Sequence, residues 1–488
     1  MKTKSTPTNY PQWALAHRKP GTELRLLQGK YYYLYQVASV YDSVSKKSKK
    51  ITGKLLGRIT EKEGFIESQK HALIKKASAS TIDTSTLSIK EFGFTCYINT
   101  LAGEQKEKLK LFFPEQWEQI WAITYCRLLH NSPIKNMPFH LSKTLLVQES
   151  DYVYTDKKIS QLLNNLGINR EKIAQFMQSF IKKDEYLLTD LTNIFSSSNK
   201  MEISKEGYNS QMIFDKQINL LYIYSPSLSL PVFYRLFPGN VREVKGIRIT
   251  LEESGIKDAM MIADKGFFSK ENIDYLKNQG LDYIIPLRRN NALIDYTLVC
   301  KENGQYFKYD DRYIWYACYE KDGHKVATFK DEKLMVEEEK DFLNRIENKL
   351  ENYDIERFKV QKHRFGTITF VYSNDSLTAE AIYKSYKSRN EIEVMFDGIK
   401  NVLDADKTYM QNQTTLEGWM FINHLCIQWY YLIYNQLKEK KLLSKYAVKD
   451  LILHLKEIKK VRIQNNWILE PITNKTSQLL NKLNISIT

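Results

Sequence analysis

Hydrophobic and polar positions alternate early in the chain and then change period. Residues 31–41, YYYLYQVASVY, are dense in aromatic and β-branched types, and 51–59, ITGKLLGRI, form a second strand candidate. Lys46, Lys47, Lys49 and Lys50 fall between them, so the pattern predicts a β-hairpin with a basic connection. From about 104 to 181 the period turns helical, with Trp117, Ile120, Trp121, Ile123 and Leu128 near one stripe. Two further helices are expected over 159–166 and 173–180. This reads as a separate helical module whose aromatic stripe is core.

The pattern shifts again at Glu185. LLTDLTNIF (187–195) reads as a strand, followed by a Ser-rich turn at 196–198. Strands are predicted over 218–224 and 231–237, joined by the turn-forming SPSLS, and a helix over 244–253. A short buried strand at 259–263, a helix at 270–278 and a strand at 283–287 follow. Three strands, helix, strand, helix, strand is the order of a mixed α/β sheet of the ribonuclease-H type. From 290 to about 370 the pattern is alternating and β-rich, with a charged helical piece over 331–353, as in an insertion. A helix is expected from 377 to about 403, and helices from there to the C-terminus. The expected organisation is a basic β-rich region over 1–100, then a helical module over 101–185. A ribonuclease-H-like core follows over 186–410 (insertion 290–372), then a helical region over 411–488.

Composition narrows the class. Of 488 residues, 43% are hydrophobic and 26% charged, which excludes a disordered or collagen-like chain. Five cysteines lie far apart without C-x-x-C pairing, against a disulfide framework or zinc ribbon and for a reducing cytoplasm. Residues 1–20 hold no apolar run of the signal-peptide kind. Residues 418–437 carry no Asp, Glu, Lys or Arg, yet Asn423, His424, Gln428, Asn435 and Gln436 interrupt them. Such groups are costly in lipid, so a buried helix of a soluble protein is expected, with no membrane partner. The histidines show no metal-site spacing, and no phosphate-binding or dinucleotide-binding glycine motif occurs.

The charge is unevenly placed. Lys and Arg number 72 against 57 acids, a net +15. Residues 1–60 hold twelve basic and two acidic side chains, and residues 411–488 hold eleven and five. Two basic ends around a near-neutral centre suit a polyanionic backbone, although solvated faces would give the same count.

The residues that could carry chemistry cluster on one predicted helix. At 100° per residue, Tyr386, Arg389, Glu393 and Lys400 fall inside an arc of about 60°. Ile392, Met395, Phe396, Ile399 and Leu403 lie beside that stripe and would seat the helix on a core. Taken alone, the Arg389–Glu393 spacing also fits a plain surface ion pair. Two aspartates add weight. Asp190 interrupts an apolar strand, where an unpaired charge is expensive. Asp264 follows the apolar run MMIA at a strand's C-terminal end, the edge where open α/β sheets place ligands. Three such carboxylates can converge on a pair of hard divalent cations. Singly, each aspartate also fits a turn cap or a Lys partner.

Tyr386-x2-Arg389-x3-Glu393-x6-Lys400 resembles the YREK signature of bacterial insertion-sequence transposases of family four. IADKGFFSKENI (262–273) and LLTDLT resemble the segments around that family's second and first catalytic aspartates, and FPGN (237–240) recurs between them. The resemblance implies a DDE transposase with Asp190, Asp264 and Glu393 as catalytic metal ligands for two Mg²⁺, or Mn²⁺. It further implies cut-and-paste transposition by end cleavage through a hairpin and strand transfer, by a cytoplasmic, nucleoid-associated homodimer on inverted-repeat and target DNA. Tyr386, Arg389 and Lys400 would hold the phosphate backbone, with Trp315, or neighbouring Tyr313, stacking on a flipped base. Lys46, Lys47, Lys49 and Lys50 are the expected end-binding cations of the N-terminal region. Gly207-Tyr208-Asn209-Ser210 lacks the lysine usual in the family's Gly-Tyr/His-Ser-Lys tract, and Lys265 stands where many relatives carry arginine. Two alternatives remain: a transposon-derived DNA-binding protein that no longer cuts, and a ribonuclease-H-like nuclease unrelated to transposition.

Overall fold

The computed structural model describes residues 10–27, 31–42, 46–68, 87–148, 150–182, 185–196, 198, 200–207, 215–241, 243–256, 259–299, 305–398, 400, 403–405, 407–463 and 466–487. Residues 208–210, the altered tract above, and Cys300 lie outside them. The chain forms two compact units, Met1–Ser88 with Arg462–Trp467, and Ile89–Val461 with Ile468–Thr488.

In the first unit, β1 (Thr22–Leu27), β2 (Tyr31–Asp42), β3 (Lys47–Thr60) and β4 (Gly64–Glu67) form an antiparallel meander. Strand alternation brings Leu24, Leu34 and Ile59 to one side, where Tyr10, Trp13, Tyr32 and Leu56 pack on them. That is a small core. β1 pairs β2 only as far as Gln36, opposite Thr22. Beyond it β2 and β3 continue alone from Val37↔Thr52 to Asp42↔Lys47, after register shifts around Tyr35.

In the second unit, β5 (Ser88–Glu91) begins a helical stretch, and a large mixed sheet follows. Its strands are β6 (Tyr186–Ser196), β7 (Lys205–Glu206), β8 (Lys216–Ser225), β9 (Leu230–Pro238), β10 (Met260–Ile262), β11 (Asp282–Pro286), β12 (Tyr306–Tyr309), β13 (Arg312–Lys321), β14 (His324–Asp331), β15 (Thr367–Tyr372) and β16 (Lys407–Thr408). Antiparallel β9, β8 and β6 come first, then β10 parallel to β6 and β11 parallel to β10. β8 and β9 are buried nearly throughout because both faces are covered. The β-rich segment expected as an insertion extends this sheet. β15 pairs β11 on one side and β14 on the other, which ties β12 to β14 onto the central strands.

The helices between 93 and 178 do not stand apart as the separate module expected over 101–185. They share one core with the sheet, around the 27-residue helix Gln413–Glu439. Trp121 meets Trp429 edge-on at 4.3 Å, and Phe113 and Phe176 both pack on Phe421 at 5.3 Å. Gly167 and Gly418 let the helices Asp156–Ile168 and Gln413–Glu439 touch backbone to backbone. A Cβ at either would strike the other helix's main chain. Three of the polar groups that argued against a membrane span, Asn423, His424 and Gln428, are buried in this core, and Asn435 and Gln436 are half-buried. Asn423 accepts from Arg127 Nε at 3.0 Å, and Gln428 donates to the Pro231 carbonyl at 3.0 Å. His424 lies nearly parallel to the Tyr222 ring, and burial, with Arg170 nearby, pushes its pKa down to about 3. It is a neutral core residue. Among the described residues, no helix is long and apolar enough to cross a membrane.

Candidate active site

Asp190 sits in β6 opposite Tyr222 of β8, so both side chains leave the same face of the sheet. Onto that face packs the helix Asn390–Asp397, with Phe396 against Tyr222 at 6.3 Å and Ile392 and Met395 fully buried. β10 runs beside β6 in the register Ile262↔Leu188. Continued by two residues, that register sets Asp264 level with Asp190, just past the end of β10. The Asp264 carbonyl accepts from Phe267 N–H at 2.9 Å, which turns the chain there.

Asp190, Asp264 and Glu393 meet at Arg389. The guanidinium lies 2.7 Å from Asp190 Oδ2, 3.6 Å from Asp264 Oδ1 and 3.5 Å from Glu393 Oε1. Three carboxylates distant in sequence thus share one cation. Asp190 and Arg389 are nearly buried, with side chains 16% and 11% exposed, whereas Glu393 is 59% exposed. Desolvation raises the Asp190 pKa, Arg389 opposes it, and Asp264 adds to it. Burial works against the charge of Arg389, but Asp190, Asp264 and Tyr386 outweigh that and hold it above its usual range. Its Nε is buried without a hydrogen-bond partner among the described residues.

The predicted single helix over 377–403 is two. Ala379–Lys387 ends, and Asn390–Asp397 begins after Ser388 and Arg389. Ser388 Oγ donates to the Ser385 carbonyl at 2.6 Å, and i→i+3 bonds from Arg389 to Tyr386 and from Glu391 to Ser388 tighten the path. Tyr386 packs on Phe370 at 4.6 Å, and burial raises its pKa while Arg389 opposes the rise. Lys400, half-buried one turn further on, takes no part in the ion pairs of the cluster among the described residues.

Trp315 is not brought to the cluster. Its neighbours Ile314 and Tyr316 lie on the face of the sheet that also carries Phe307 of β12 and Phe329 of β14, and those two rings meet Tyr383 of the helix Ala379–Lys387 at 5.5 and 5.2 Å. Trp315 therefore points to the opposite face, beside Tyr306 at 5.2 Å and, through it, Tyr313. The sequence did not signal a cavity of about 680 Å³ that adjoins the cluster at Lys265 and Tyr386. Arg288, Arg289, Tyr383 and Lys387 also line it. The alternation of buried Ile314 with Trp315 was the one signal of which face each side chain takes. Lys46, Lys47, Lys49 and Lys50 are all exposed in the first unit, on or beside the lone β2–β3 ribbon.

The donors suit a hard divalent cation, being carboxylate oxygens already gathered around one positive group that stands in for it. Among the described residues, no group of three or more His, Cys, Asp or Glu side chains is arranged so that it could hold a metal ion as it stands. Arg389 occupies the middle, so a metal would take these oxygens in its place.

Residues 189–429 match the Transposase DDE domain family. They span all three carboxylates and the helix Asn390–Asp397. The chain carries a transposase DDE domain and is by class a transposase enzyme, and domains of this kind use divalent metal ions. No curated protein matches the chain. Solved structures similar to parts of it include the piggyBac transposase synaptic complex with hairpin DNA, at 11% identity over 70% of each chain, TM-score 0.37. The Mos1 transposase paired-end complex with the left transposon end shares 11% identity over 32% of this chain and 54% of that one, TM-score 0.15. A pre-cleavage Mos1 transpososome shares 9% identity over 58% and 77%, TM-score 0.16.

Proposed function

We propose that this transposase is of the insertion-sequence type with the YREK signature and cuts and joins DNA ends through Asp190, Asp264 and Glu393. The observation that carries the reading is the meeting of these three carboxylates at Arg389. They would hold two divalent cations, Mg²⁺ or Mn²⁺. Bound there, the cations would activate an attacking water or DNA 3′-hydroxyl and stabilise the leaving oxygen of a phosphodiester. The core is of the ribonuclease-H type, a reading supported by three antiparallel strands followed by two parallel ones, with a carboxylate on the first strand.

The chain's own residues do the rest. With a cation on those oxygens Arg389 would no longer be needed as their countercharge, and its guanidinium, whose buried Nε has no partner among the described residues, would serve a phosphate oxygen. Tyr386 fixes the start of that turn against Phe370. Lys400 and Lys265 add positive charge along the same edge. The cavity walled by Arg288, Arg289, Lys387 and Tyr383 accepts the nucleotide displaced when an end is folded into a hairpin. It is better placed for that than Trp315 or Tyr313. Lys46, Lys47, Lys49 and Lys50 bind end DNA, and a homodimer on two ends brings both sites together in the cytoplasm, at the nucleoid.

The test is to incubate the purified chain with a duplex carrying the inverted repeat that flanks its coding sequence, in Mg²⁺, Mn²⁺ or EDTA. Metal-dependent cleavage at the repeat, followed by joining to a plasmid, is expected. Binding without cleavage in either metal overturns the reading in favour of an inactive DNA-binding protein. Cleavage without preference for the repeat overturns it in favour of a nuclease.

A further inference from the structure

Past Gln36 the β2–β3 ribbon pairs with no further strand among the described residues, and almost every described residue in it is exposed. Val40, Tyr41 and Ile51 are 50%, 63% and 48% exposed, high values for such side chains. A lone two-stranded ribbon is marginal in water, so nothing in local energetics explains its length. Six pairs at roughly 3.4 Å per residue reach about 17 Å, twice the depth of a major groove of about 8.5 Å. Its charge is mostly positive, four lysines (Lys46, Lys47, Lys49 and Lys50) against one acid, Asp42. Lys50 is held by Glu23 of β1 at 3.0 Å, while Lys46, Lys47 and Lys49 enter no ion pair among the described residues.

The register sorts the two faces. Ser39, Tyr41, Ser48 and Lys50 share one, and Ala38, Val40, Lys49 and Ile51 the other. The first is lined with short hydroxyls and one phenol, groups that exchange donor and acceptor roles with base edges. The second carries the aliphatic side chains of Ala38, Val40 and Ile51 and, by the same alternation, both Lys47 and Lys49.

We propose that this ribbon enters the major groove of the end duplex, with the Ser39–Tyr41–Ser48 face toward the base edges and Lys46, Lys47 and Lys49 on the bordering phosphates. The major groove is the one wide enough for a two-stranded ribbon. An excess of four lysines over one acid in so short a ribbon suits a polyanionic backbone such as that of a nucleic acid. The inference rests on the reading of the chain as a transposase that binds its own ends, and adds how those ends are recognised.

Two variants separate backbone binding from base reading, and neither touches the catalytic cluster. Lys47→Gln/Lys49→Gln should weaken binding to the inverted-repeat duplex and to a scrambled duplex alike. It should flatten the dependence of log K on log salt by about two, one for each phosphate no longer neutralised. Tyr41→Ala/Ser48→Ala should lower the preference for the repeat over the scrambled duplex about tenfold, with the salt slope unchanged. Methylating guanine N7 in the repeat should block parent binding, whereas filling the minor groove with distamycin should not. All four residues are exposed, so the variants are expected to melt with the parent. If both variants bind and discriminate as the parent does while the parent cleaves the repeat, the ribbon inference is overturned and the transposase reading stands. Competition by distamycin without N7 interference overturns the choice of groove. A parent that neither binds nor cleaves the repeat overturns both.

Discussion

Replacing Asp190 by Asn is expected to abolish strand cleavage, by on the order of 10³-fold or more, with end binding unchanged within a few-fold. Asn keeps the size of the side chain and the bond from Leu191 N–H, which Asp190 accepts at 2.9 Å. It removes the charge that would hold a divalent cation on the first strand, and several kcal/mol of transition-state stabilisation go with it. Asp190 is the most enclosed of the three carboxylates, so no neighbouring acid can take its place. Asp264→Asn and Glu393→Gln should fall to the same floor, and combining them with Asp190→Asn should lower it little, because the three act as one unit. Denaturing gels of end-labelled repeat DNA, run beside binding measurements on the same preparations, check this. Cleavage by Asp190→Asn near the parent rate would remove β6 from the site.

Arg389→Gln gives the second large effect, and it is read without DNA. In the parent one guanidinium is the shared countercharge of three acids, of which Asp190 is the most sheltered from water. Deleting one partner of a nearly buried pair costs roughly 3 kcal/mol, because the charge left behind loses both water and countercharge. Metal-free Arg389→Gln should therefore melt several degrees below the parent. Mn²⁺ should return much of the loss, since a ligand that binds only the folded chain stabilises it by its binding energy. The parent should gain less, because there the ion must first displace the arginine. Thermal melts in EDTA and in Mn²⁺ decide it. Equal melting temperatures in EDTA, or equal gains with Mn²⁺, would mean that Arg389 is not the countercharge of the cluster.

The cluster was legible because its members broke local rules. A charge inside LLTDLTNIF and another at the end of a short apolar run are costly unless something meets them. The strand pattern of β6, β8, β9, β10 and β11 located both, and the parallel register supplied the alignment that no single segment contains. Three features were hidden for physical reasons. The break at Ser388 and Arg389 carries no proline or glycine, and a serine hydroxyl turning back on its own helix makes it. The helices around 101–185 have a helical pattern of their own, and that they belong to the core of the sheet shows only in tertiary packing, in Gly167 against Thr414 and Trp121 against Trp429. Trp315 was singled out for its ring, but the side of a strand on which a ring lies follows from its neighbours, and buried Ile314 places it on the far face.

Iron-mediated cleavage of the protein backbone would test the shared site most directly. Fe²⁺ taken up in place of Mg²⁺ and exposed to ascorbate and peroxide cuts the chain beside the groups that bind it. Cuts near residues 190, 264 and 393 together, suppressed by excess Mg²⁺ and lost together in Asp190→Asn, are the predicted result. Cuts near only one of the three, or a pattern that Asp190→Asn leaves intact, would contradict it.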